Sequence, residues 1–351
     1  MSRLRDLRLL QLLGPAVVIA AVGLIGQGVS PGTQSEFQTA LVNVTAVIAL
    51  YVFVGNSGVI SFGHVSFVAV GAFAAGEMTI EPTIKPSFMP GVWGPIANHS
   101  VGDIGSLVLA AAVGGIFALV VGIPLMRLSG LAAGIATFAV LEITHNLLRY
   151  WEKIGPGANT LSLIPESTTV WRATAGALIA LAVAFVYQRS RFARVLRASR
   201  EDPAAAQAVG VHIHGQRLAA FTVSGALSGF AGGLLAHQLG SITTEQVYLN
   251  LTFILLAMLV FGGASSLWGA TLGALTLSFV DAYLSNAENG TGFLAWQLTL
   301  PDGSSTIILG VIMALVLIFR PSGITGGAEF GLPGRRRMRA PRSPFVRSAG
   351  S

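Results

Sequence analysis

Long apolar stretches recur along the whole chain, and they constrain its fold more than any other feature. Ten of them occupy residues 9–26, 39–54, 65–79, 105–126, 131–148, 173–187, 218–239, 251–261, 270–284 and 305–319. A helix needs about 20 mainly apolar residues to cross the roughly 30 Å hydrocarbon layer of a membrane, and several stretches meet that requirement. Only 10% of the residues are charged, against about a quarter in ordinary globular domains. The sequence therefore predicts an all-α, polytopic integral membrane protein with about eight to ten transmembrane helices.

Two details of this pattern predict where individual helices begin and end. The eighth and ninth stretches are separated only by "GGASSLWG" at 262–269. Its Gly and Ser residues weaken helix continuity, so we expect a break between two shorter helices. The N-terminal stretch is long and no small-x-small cleavage site follows it, which predicts an uncleaved first helix rather than a signal peptide.

Positive charges are distributed unevenly between the two sides that these helices define. With the N-terminus inside, 17 of the 21 Lys and Arg residues fall in inside segments. Cytoplasmic loops carry such an excess, so both termini are predicted to be cytoplasmic. The basic residues lie between and after apolar segments, so the net charge of +6 indicates topology rather than a nucleic-acid partner. The basic tail 326–351 is predicted to be disordered, and its arginines either contact anionic lipid head groups or act as a topology signal.

The longest basic loop, 190–216, contains the stretch "RASREDPAAAQAVG". Asp202 is a good N-cap, Pro203 is pre-set for the first helical position, and Gly210 suits a left-handed residue after the C-terminus. The body between them consists of good helix formers: Ala204, Ala205, Ala206, Gln207 and Ala208. The predicted helix runs from Pro203 to Val209. Isolated helices this short are marginal in water, so it needs a surface to dock on, either its own bundle or a partner subunit.

Several enzyme classes are excluded by what the sequence lacks. There is no cysteine, and the only lysines, Lys85 and Lys153, do not follow the glycine pattern of a phosphate-binding loop. No acid–base or nucleophile–base constellation is present, because the six histidines are scattered over unlike segments. We therefore expect no enzymatic activity and no ATPase site in this chain.

Polar residues at membrane depth are the candidates for a functional pathway, because ionisable groups there are costly and usually face a cavity or a partner. The ionisable candidates are His64, Glu142, His145, His237 and Asp281. Glu142 and His145 are three residues apart on one helix face and could pair. For His64 and His237 the simpler interpretation is a satisfied interhelical hydrogen bond. The stretch "GNSGVISFGH" at 55–64 either lines a pathway as a helix break or packs helices closely through small residues.

A family resemblance then becomes visible in the run "SRFARVLRASREDPAAAQAVGVHIHGQRLAAFTVSGALSGFAGGL" at 190–234. It resembles the cytoplasmic coupling loop of ABC-importer permeases, specifically the branched-chain amino acid permease family of LivM type. In that family a short helix with the pattern A-x-x-E-D-x-x-A-A-x-x-x-G sits in a cleft of the ATPase subunit. The matching residues are Ala198, Glu201, Asp202, Ala205, Ala206 and Gly210.

Further blocks in the same order are similar to this family. They are "NVTAVIALYVFVGNSGVISFGHVSFVAVGAFAAG", "MRLSG", "FGGASSLWGATLGA" and "IILGVIMALVLIFRPSGITG". One block departs from the family. Where the family often shows G-G-x-N-G-L-x-G-I-P, this chain reads "GPGANTLSLIP", with Thr160 and Leu163 in place of two glycines.

The resemblance implies a transmembrane permease domain over 1–325, in the prokaryotic inner membrane, that works by alternating access. Its implied partners are a second, LivH-like permease, two LivG/LivF-like ATPases that use ATP and Mg, and an extracytoplasmic binding protein. No cofactor or metal is expected on this chain. The implied substrates are branched-chain or related hydrophobic amino acids; the alternatives are urea, short amides or other small carboxylates, an ion-coupled secondary transporter, or a membrane-embedded enzyme. The candidate residues of the translocation pathway are Asn43, Asn56, Ser61, His64, Glu142 and Asn159.

Overall fold

The computed structural model describes residues 2–200, 202–289, 301, 303–319 and 323–326. Its described part contains these helices: α1 (Ser2–Gln27), α2 (Pro31–Ser57), α3 (His64–Thr79), α4 (Lys85–Phe88), α5 (Gly94–Ala97), α6 (Asp103–Leu125), α7 (Gly130–Tyr150), α8 (Val170–Arg189), α9 (Arg191–Ala198), α10 (Pro203–Ala208), α11 (Ile213–Leu239), α12 (Leu249–Gly262), α13 (Leu267–Glu288) and α14 (Ser304–Phe319). Each of the ten apolar stretches falls on one long helix. Four shorter helices, α4, α5, α9 and α10, lie in the connections.

Five of the long helices are long and apolar enough to cross a membrane by length and composition: α2, α6, α8, α11 and α13. The predicted all-α, polytopic membrane fold is confirmed. The predicted break between the eighth and ninth stretches is also confirmed, because α12 ends at Gly262 and α13 begins at Leu267. Gly263 takes the left-handed φ of 117° at the break, and the Ser266 side chain caps α13 by accepting a hydrogen bond from the Gly269 N–H.

Helix α2 lies at the centre of the bundle. In its most apolar window 89% of the residues are buried, against 28% for α6, so α2 is enclosed by other helices whereas most of α6 faces outwards. Its neighbours include α8, α11 and α13. The apolar residues of α2 therefore form part of the protein core, whereas those of α6 mainly form lipid-facing surface.

Glycines allow α3, α6 and α11 to pack with their backbones in contact. A Cβ atom added to Gly232 of α11 would lie 2.0 Å from the carbonyl oxygen of Val68 on α3. One added to Gly229 of α11 would lie 2.3 Å from the carbonyl oxygen of Ala110 on α6. Neither position tolerates any side chain without movement of a neighbouring backbone. Close approach through small residues is the usual way in which membrane helices associate, and here it joins three helices into one unit.

Candidate coupling and pathway sites

Helix α10 has the caps that its sequence predicts. The Asp202 Oδ1 atom accepts a hydrogen bond of 2.9 Å from the Ala205 N–H, and Pro203 is the first helical residue. Gly210 takes a left-handed φ of 84°. The helix ends at Ala208, one residue earlier than predicted, because Val209 already leaves helical geometry. Glu201, the remaining acidic residue of the predicted coupling stretch, lies outside the described residues.

None of the residues of α10 is buried. Val209, which follows it, is 81% exposed, and nothing lies within 4 Å of where a Cβ atom of Gly210 would be. Ala204, Ala205 and Ala208 are therefore exposed, and Ala206 is half-buried. A short helix that gains so little from its own chain is the kind of element that a partner's surface would stabilise.

Helix α9, just before α10, is fastened to the bundle by arginines. The Arg197 Nη1 atom donates to the Asn56 Oδ1 atom of α2 at 2.7 Å, and its Nη2 atom donates to the Gln188 carbonyl oxygen of α8 at 2.6 Å. The Arg200 Nη1 atom donates to the Gly55 carbonyl oxygen of α2 at 3.0 Å. These contacts, the arginine clamp, connect the loop that carries α10 to the central helix. Sequence reasoning missed them because it treated the loop arginines only as topology signals.

The structure assigns Asn56 a partner that the pathway prediction did not include. Asn56 is 1% exposed, and besides accepting from Arg197 it donates from Nδ2 to the Val52 carbonyl oxygen at 2.8 Å. Both ends of its amide are occupied within the joint between α2 and α9. A pathway role for Asn56 stays a prediction, and its observed contacts are those of the clamp.

The stretch at 55–64 breaks the helix and also packs closely. Gly58 ends α2 with a left-handed φ of 72°, and a Cβ atom on Gly63 would lie 2.4 Å from the Thr137 carbonyl oxygen of α7. Ser61 and His64 are both buried, and the Ser61 Oγ atom lies 2.7 Å from the His64 Nδ1 atom. The two alternatives for this stretch are therefore compatible, since the break itself is packed against α7.

His64 and His237 have different surroundings. The His64 ring packs edge-on against the aromatic rings of Phe67 and Phe221, with ring centres 5.6 and 5.3 Å away. His237 of α11 contacts the Ser106 hydroxyl of α6 at 2.7 Å and the Pro165 carbonyl oxygen at 3.0 Å. The expected interhelical hydrogen bond is confirmed for His237. For His64 the observed hydrogen bond runs to Ser61, just before its own helix.

Glu142 and His145 meet at a third residue, Tyr248, instead of pairing with each other. The Tyr248 hydroxyl donates to the Glu142 Oε2 atom, and the Asn146 Nδ2 atom donates to Glu142 Oε1 at 2.8 Å. The His145 ring stacks on the Tyr248 ring at 3.9 Å, and its Nε2 atom lies 3.6 Å from the Glu245 Oε1 atom. The direct pair that the helical spacing allowed is not formed between these two residues, because the Tyr248 hydroxyl is the partner of Glu142 and the Tyr248 ring is the partner of His145. The hydrogen bond to Glu142, followed by burial, raises the pKa of Tyr248 to about 12.

Asn43 and Asn159 lie apart from the other candidates. The Asn43 Nδ2 atom donates to the Ser278 Oγ atom at 3.0 Å and so joins α2 to α13. Asn159 is exposed, and its Nδ2 atom donates to the Pro156 carbonyl oxygen at 3.3 Å. Of the six candidate pathway residues, only Ser61 and His64 are hydrogen-bonded to each other in the described part of the chain.

The loop that contains Asn159 is anchored to the segment after α11. Leu161 and Ile242 exchange two backbone hydrogen bonds of 2.9 Å, and the Ile164 N–H donates to the Gly240 carbonyl oxygen at 3.0 Å. Between these contacts Leu163 adopts a φ of 63°, a left-handed conformation that favours glycine. Leu163 stands where the family pattern has glycine. Leu163 thus adopts a backbone conformation that glycine would adopt without strain.

Comparisons with known proteins agree with the resemblance noted in the sequence. The family described as branched-chain amino acid transport system / permease component matches residues 37–319. The high-affinity branched-chain amino acid transport system permease protein LivM of Escherichia coli K12 is 26% identical over 84% of this chain and 70% of its own length. The probable LivM permease of Methanocaldococcus jannaschii is 27% identical over 77% of this chain and 86% of its own.

LivH proteins, which are also named as permeases of that transport system, are similar as well. The probable LivH permease of M. jannaschii is 31% identical over 42% of this chain and 45% of its own length. No solved structure matches this chain. The match over 37–319 covers more than half of the 351 residues and includes nearly all of the helical bundle. The chain therefore belongs to the branched-chain amino acid transport permease family.

Proposed function

We propose that this chain is a transmembrane permease subunit of an ABC importer, located in the inner membrane of a prokaryote with both termini in the cytoplasm. The single observation that carries the proposal is that α10 is capped, unburied and attached to the central helix through α9. Family membership supplies the transport class. The exposed helix supplies a place where a partner ATPase would dock.

In this proposal the arginine clamp transmits movement. An ATPase that closes on ATP would displace α10, and the guanidinium of Arg197 would pass that displacement to α2 and α8. Rigid elements with two stable packings are the general basis of such transitions, and alternating access would follow from the movement of the attached helices. ATP and Mg would be bound by the ATPases, so this chain would have no enzymatic activity of its own.

The proposed cargo is a branched-chain or related hydrophobic amino acid, because the similar proteins are named for that transport. Urea, short amides and other small carboxylates remain the alternative cargoes. The proposed assembly contains a second, LivH-like permease, two LivG/LivF-like ATPases and an extracytoplasmic binding protein that selects the cargo. The proposed pathway residues remain Asn43, Asn56, Ser61, His64, Glu142 and Asn159.

The decisive experiment is co-expression and co-purification of the chain with LivG/LivF-like ATPases, followed by uptake in vesicles. Ala205→Arg places a long cation on the exposed face of α10, and we expect it to abolish ATPase association while membrane insertion is unchanged. Ala205→Ser keeps the small size of the residue and is the matched control, with association as in the unsubstituted chain. Normal ATPase association in Ala205→Arg would refute the docking role. Uptake that an ion gradient drives through this chain alone would instead support a secondary transporter, with Glu142 as its coupling residue.

A further inference from the structure

A pocket of about 310 Å³ lies at the end of α2, between the α9–α10 connection and the start of α11. Its walls include Ser57, Gly58, Ser199, Arg200, Pro203 and Arg217. It thus opens at the end of the bundle that carries the basic loop. Since α2 and α11 both qualify as membrane-crossing helices, their ends lie close to the level of the lipid head groups.

Two guanidinium groups give the pocket its charge. The Arg200 Nη1 atom donates to the Gly55 carbonyl oxygen at 3.0 Å, and the Arg217 Nη1 atom donates to the Leu128 carbonyl oxygen at 3.2 Å. Each contact orients a guanidinium with one nitrogen and leaves other N–H groups for a ligand. Among the residues that the structure describes, no carboxylate forms an ion pair with either arginine. The pocket is therefore a cationic site without a counter-ion in the described chain.

Further polar groups of the wall fit an anion. The Ser57 Oγ atom accepts a hydrogen bond from the Val59 N–H, so its own hydrogen remains for donation. The nearest described acid along the chain, Asp202, is directed into α10 as its N-cap and accepts from the Ala205 N–H. A Cβ atom at Gly58 would lie 2.6 Å from the Arg200 Nε atom, so the absence of a side chain there makes room for the guanidinium.

We propose that this pocket binds the phosphate of an anionic phospholipid. The planar guanidinium fork matches phosphate oxygens and pairs with them more strongly than with neutral acceptors. Apolar side chains beside the pocket favour a lipid over a soluble anion, since Ile60 is 51% and Leu128 is 39% exposed. Basic pockets between the ends of membrane helices are typical binding places for anionic head groups.

A bound phosphate would add a contact shared by α2, α10 and α11, of which α2 and α11 already pack against each other. Pro203 forms part of the wall and is the first residue of α10, while Ser57 ends α2 and Arg217 lies in the first turns of α11. The lipid would therefore hold the start of α10 in place from the membrane side. This inference does not depend on whether α10 docks on an ATPase, because it concerns only the membrane-embedded chain.

The test is native mass spectrometry of the purified full chain in detergent micelles that contain either phosphatidylglycerol or phosphatidylcholine. We expect retained phosphatidylglycerol to exceed phosphatidylcholine by about tenfold, and to fall by about tenfold in Arg200→Gln/Arg217→Gln. The matched control is Arg191→Gln/Arg194→Gln, which removes the same charge from exposed positions of α9 in the same loop and should change retention less than about twofold. Each single glutamine variant removes only one carbonyl contact, so its retained phosphatidylglycerol should fall by about threefold. The single variants replace the double variant in this test if the double variant does not fold.

Thermal unfolding of the same proteins gives a second measurement. Phosphatidylglycerol should raise the melting temperature of the unsubstituted chain and of the α9 control, and should leave Arg200→Gln/Arg217→Gln unchanged. Equal retention of both lipids, or unchanged retention in the pocket variants, would overturn the proposal. So would an equal rise in melting temperature with inorganic phosphate in phosphatidylcholine micelles, which would identify a soluble anion. Intact lipid retention in Arg200→Gln/Arg217→Gln together with loss of ATPase co-purification would also overturn the proposal. It would show that the pocket binds a carboxylate of the ATPase instead.

Discussion

The two ends of the helical bundle are held together by different kinds of contact. At the end with the basic loop, guanidinium groups from α9 and from the residues just after it donate to side-chain and backbone oxygens of α2 and α8. At the opposite end, loop segments pair directly through the backbone bridge between Leu161 and Ile242. At that end Glu142 and His145 of α7 also contact the partly buried side chain of Tyr248.

The difference shows which parts of the molecule can move as units. At the basic end, long arginine side chains orient α9 on α2 through their hydrogen bonds, but they leave α10 itself unburied. Backbone pairing at the far end holds two loop segments directly to one another. Between the two ends, the glycine contacts of α3, α6 and α11 form the most rigid part, because they join backbones directly.

The largest effect is expected where helix backbones touch. Gly232→Val places two methyl groups where even a Cβ atom would be 2.0 Å from the Val68 carbonyl oxygen. We expect a loss of roughly 4 kcal/mol or more in the free energy of unfolding, because neither helix can move away without losing its other contacts. The measurement is the yield of monodisperse protein and its thermal unfolding in detergent.

A control for this variant lies on the same helix. Gly215 is in the first turn of α11 with nothing within 4 Å of its added Cβ position. Gly215→Ala should change stability by less than about 1 kcal/mol, in the stabilising direction, because alanine is the better helix former. Similar losses from both variants would contradict the idea that the middle of α11 is the rigid part.

The next effect concerns the arginine clamp. Arg197→Ala leaves the Asn56 oxygen and the Gln188 carbonyl oxygen without their charged donor. The expected cost is about 3 kcal/mol for two charge-assisted hydrogen bonds, concentrated in local opening of α9. In the assembled transporter, ATP hydrolysis should continue while uptake per ATP falls severalfold.

Hydrogen exchange of the α9 amides and the ratio of uptake to hydrolysis measure these two effects. Arg197→Lys keeps the charge and can reach one of the two oxygens, so it should lie between the unsubstituted chain and the alanine variant. An alanine variant with unchanged α9 exchange would show that other contacts position this helix.

Local features of the fold were predictable from the sequence, and contacts between distant residues were not. The caps of α10 and the break before α13 depend on residues within a few positions of each other, and both predictions are confirmed. Arg197 is 141 positions from Asn56, and Tyr248 is 106 positions from Glu142. Such pairs form only after the helices have packed. A helical spacing therefore suggested a Glu142–His145 pair that the packed structure replaces with Tyr248.

A smaller effect is expected at Tyr248. Tyr248→Phe removes the hydrogen bond to Glu142 and should cost about 1 kcal/mol at neutral pH, because the site is partly exposed. The pKa of Tyr248 in the folded chain is raised to about 12 by that hydrogen bond, above the usual value near 10. The folded state therefore holds this proton more tightly than the unfolded state. The stabilisation is complete below about pH 10 and is lost as the pH rises towards 12.

Melting temperatures measured across this pH range should fall more steeply for the unsubstituted chain than for Tyr248→Phe. Glu142→Gln keeps an acceptor for the Tyr248 hydroxyl but removes the negative charge, so its curve should lie between the two. Parallel curves for all three proteins would mean that the tyrosine contributes little to holding α7 against the segment before α12.

The smallest effect is a gain in stability at Leu163. A left-handed conformation costs a residue with a side chain about 1 kcal/mol, and Leu163 adopts it with a φ of 63° while 54% exposed, so little packing is lost on its removal. Leu163→Gly should therefore stabilise the loop by about 0.5–1 kcal/mol, the relief of strain being partly offset by the greater freedom of glycine in the unfolded chain. Leu163→Ala keeps the backbone strain and should give no gain, which separates the effect of φ from that of side-chain size. The readout is protection of the Leu161, Ile242 and Ile164 amides from hydrogen exchange, since the hydrogen bonds of Leu161 and Ile164 lie on either side of the strained residue. Equal protection in the glycine and alanine variants would show that the bridge, rather than the φ of residue 163, determines how firmly this end of the bundle is closed.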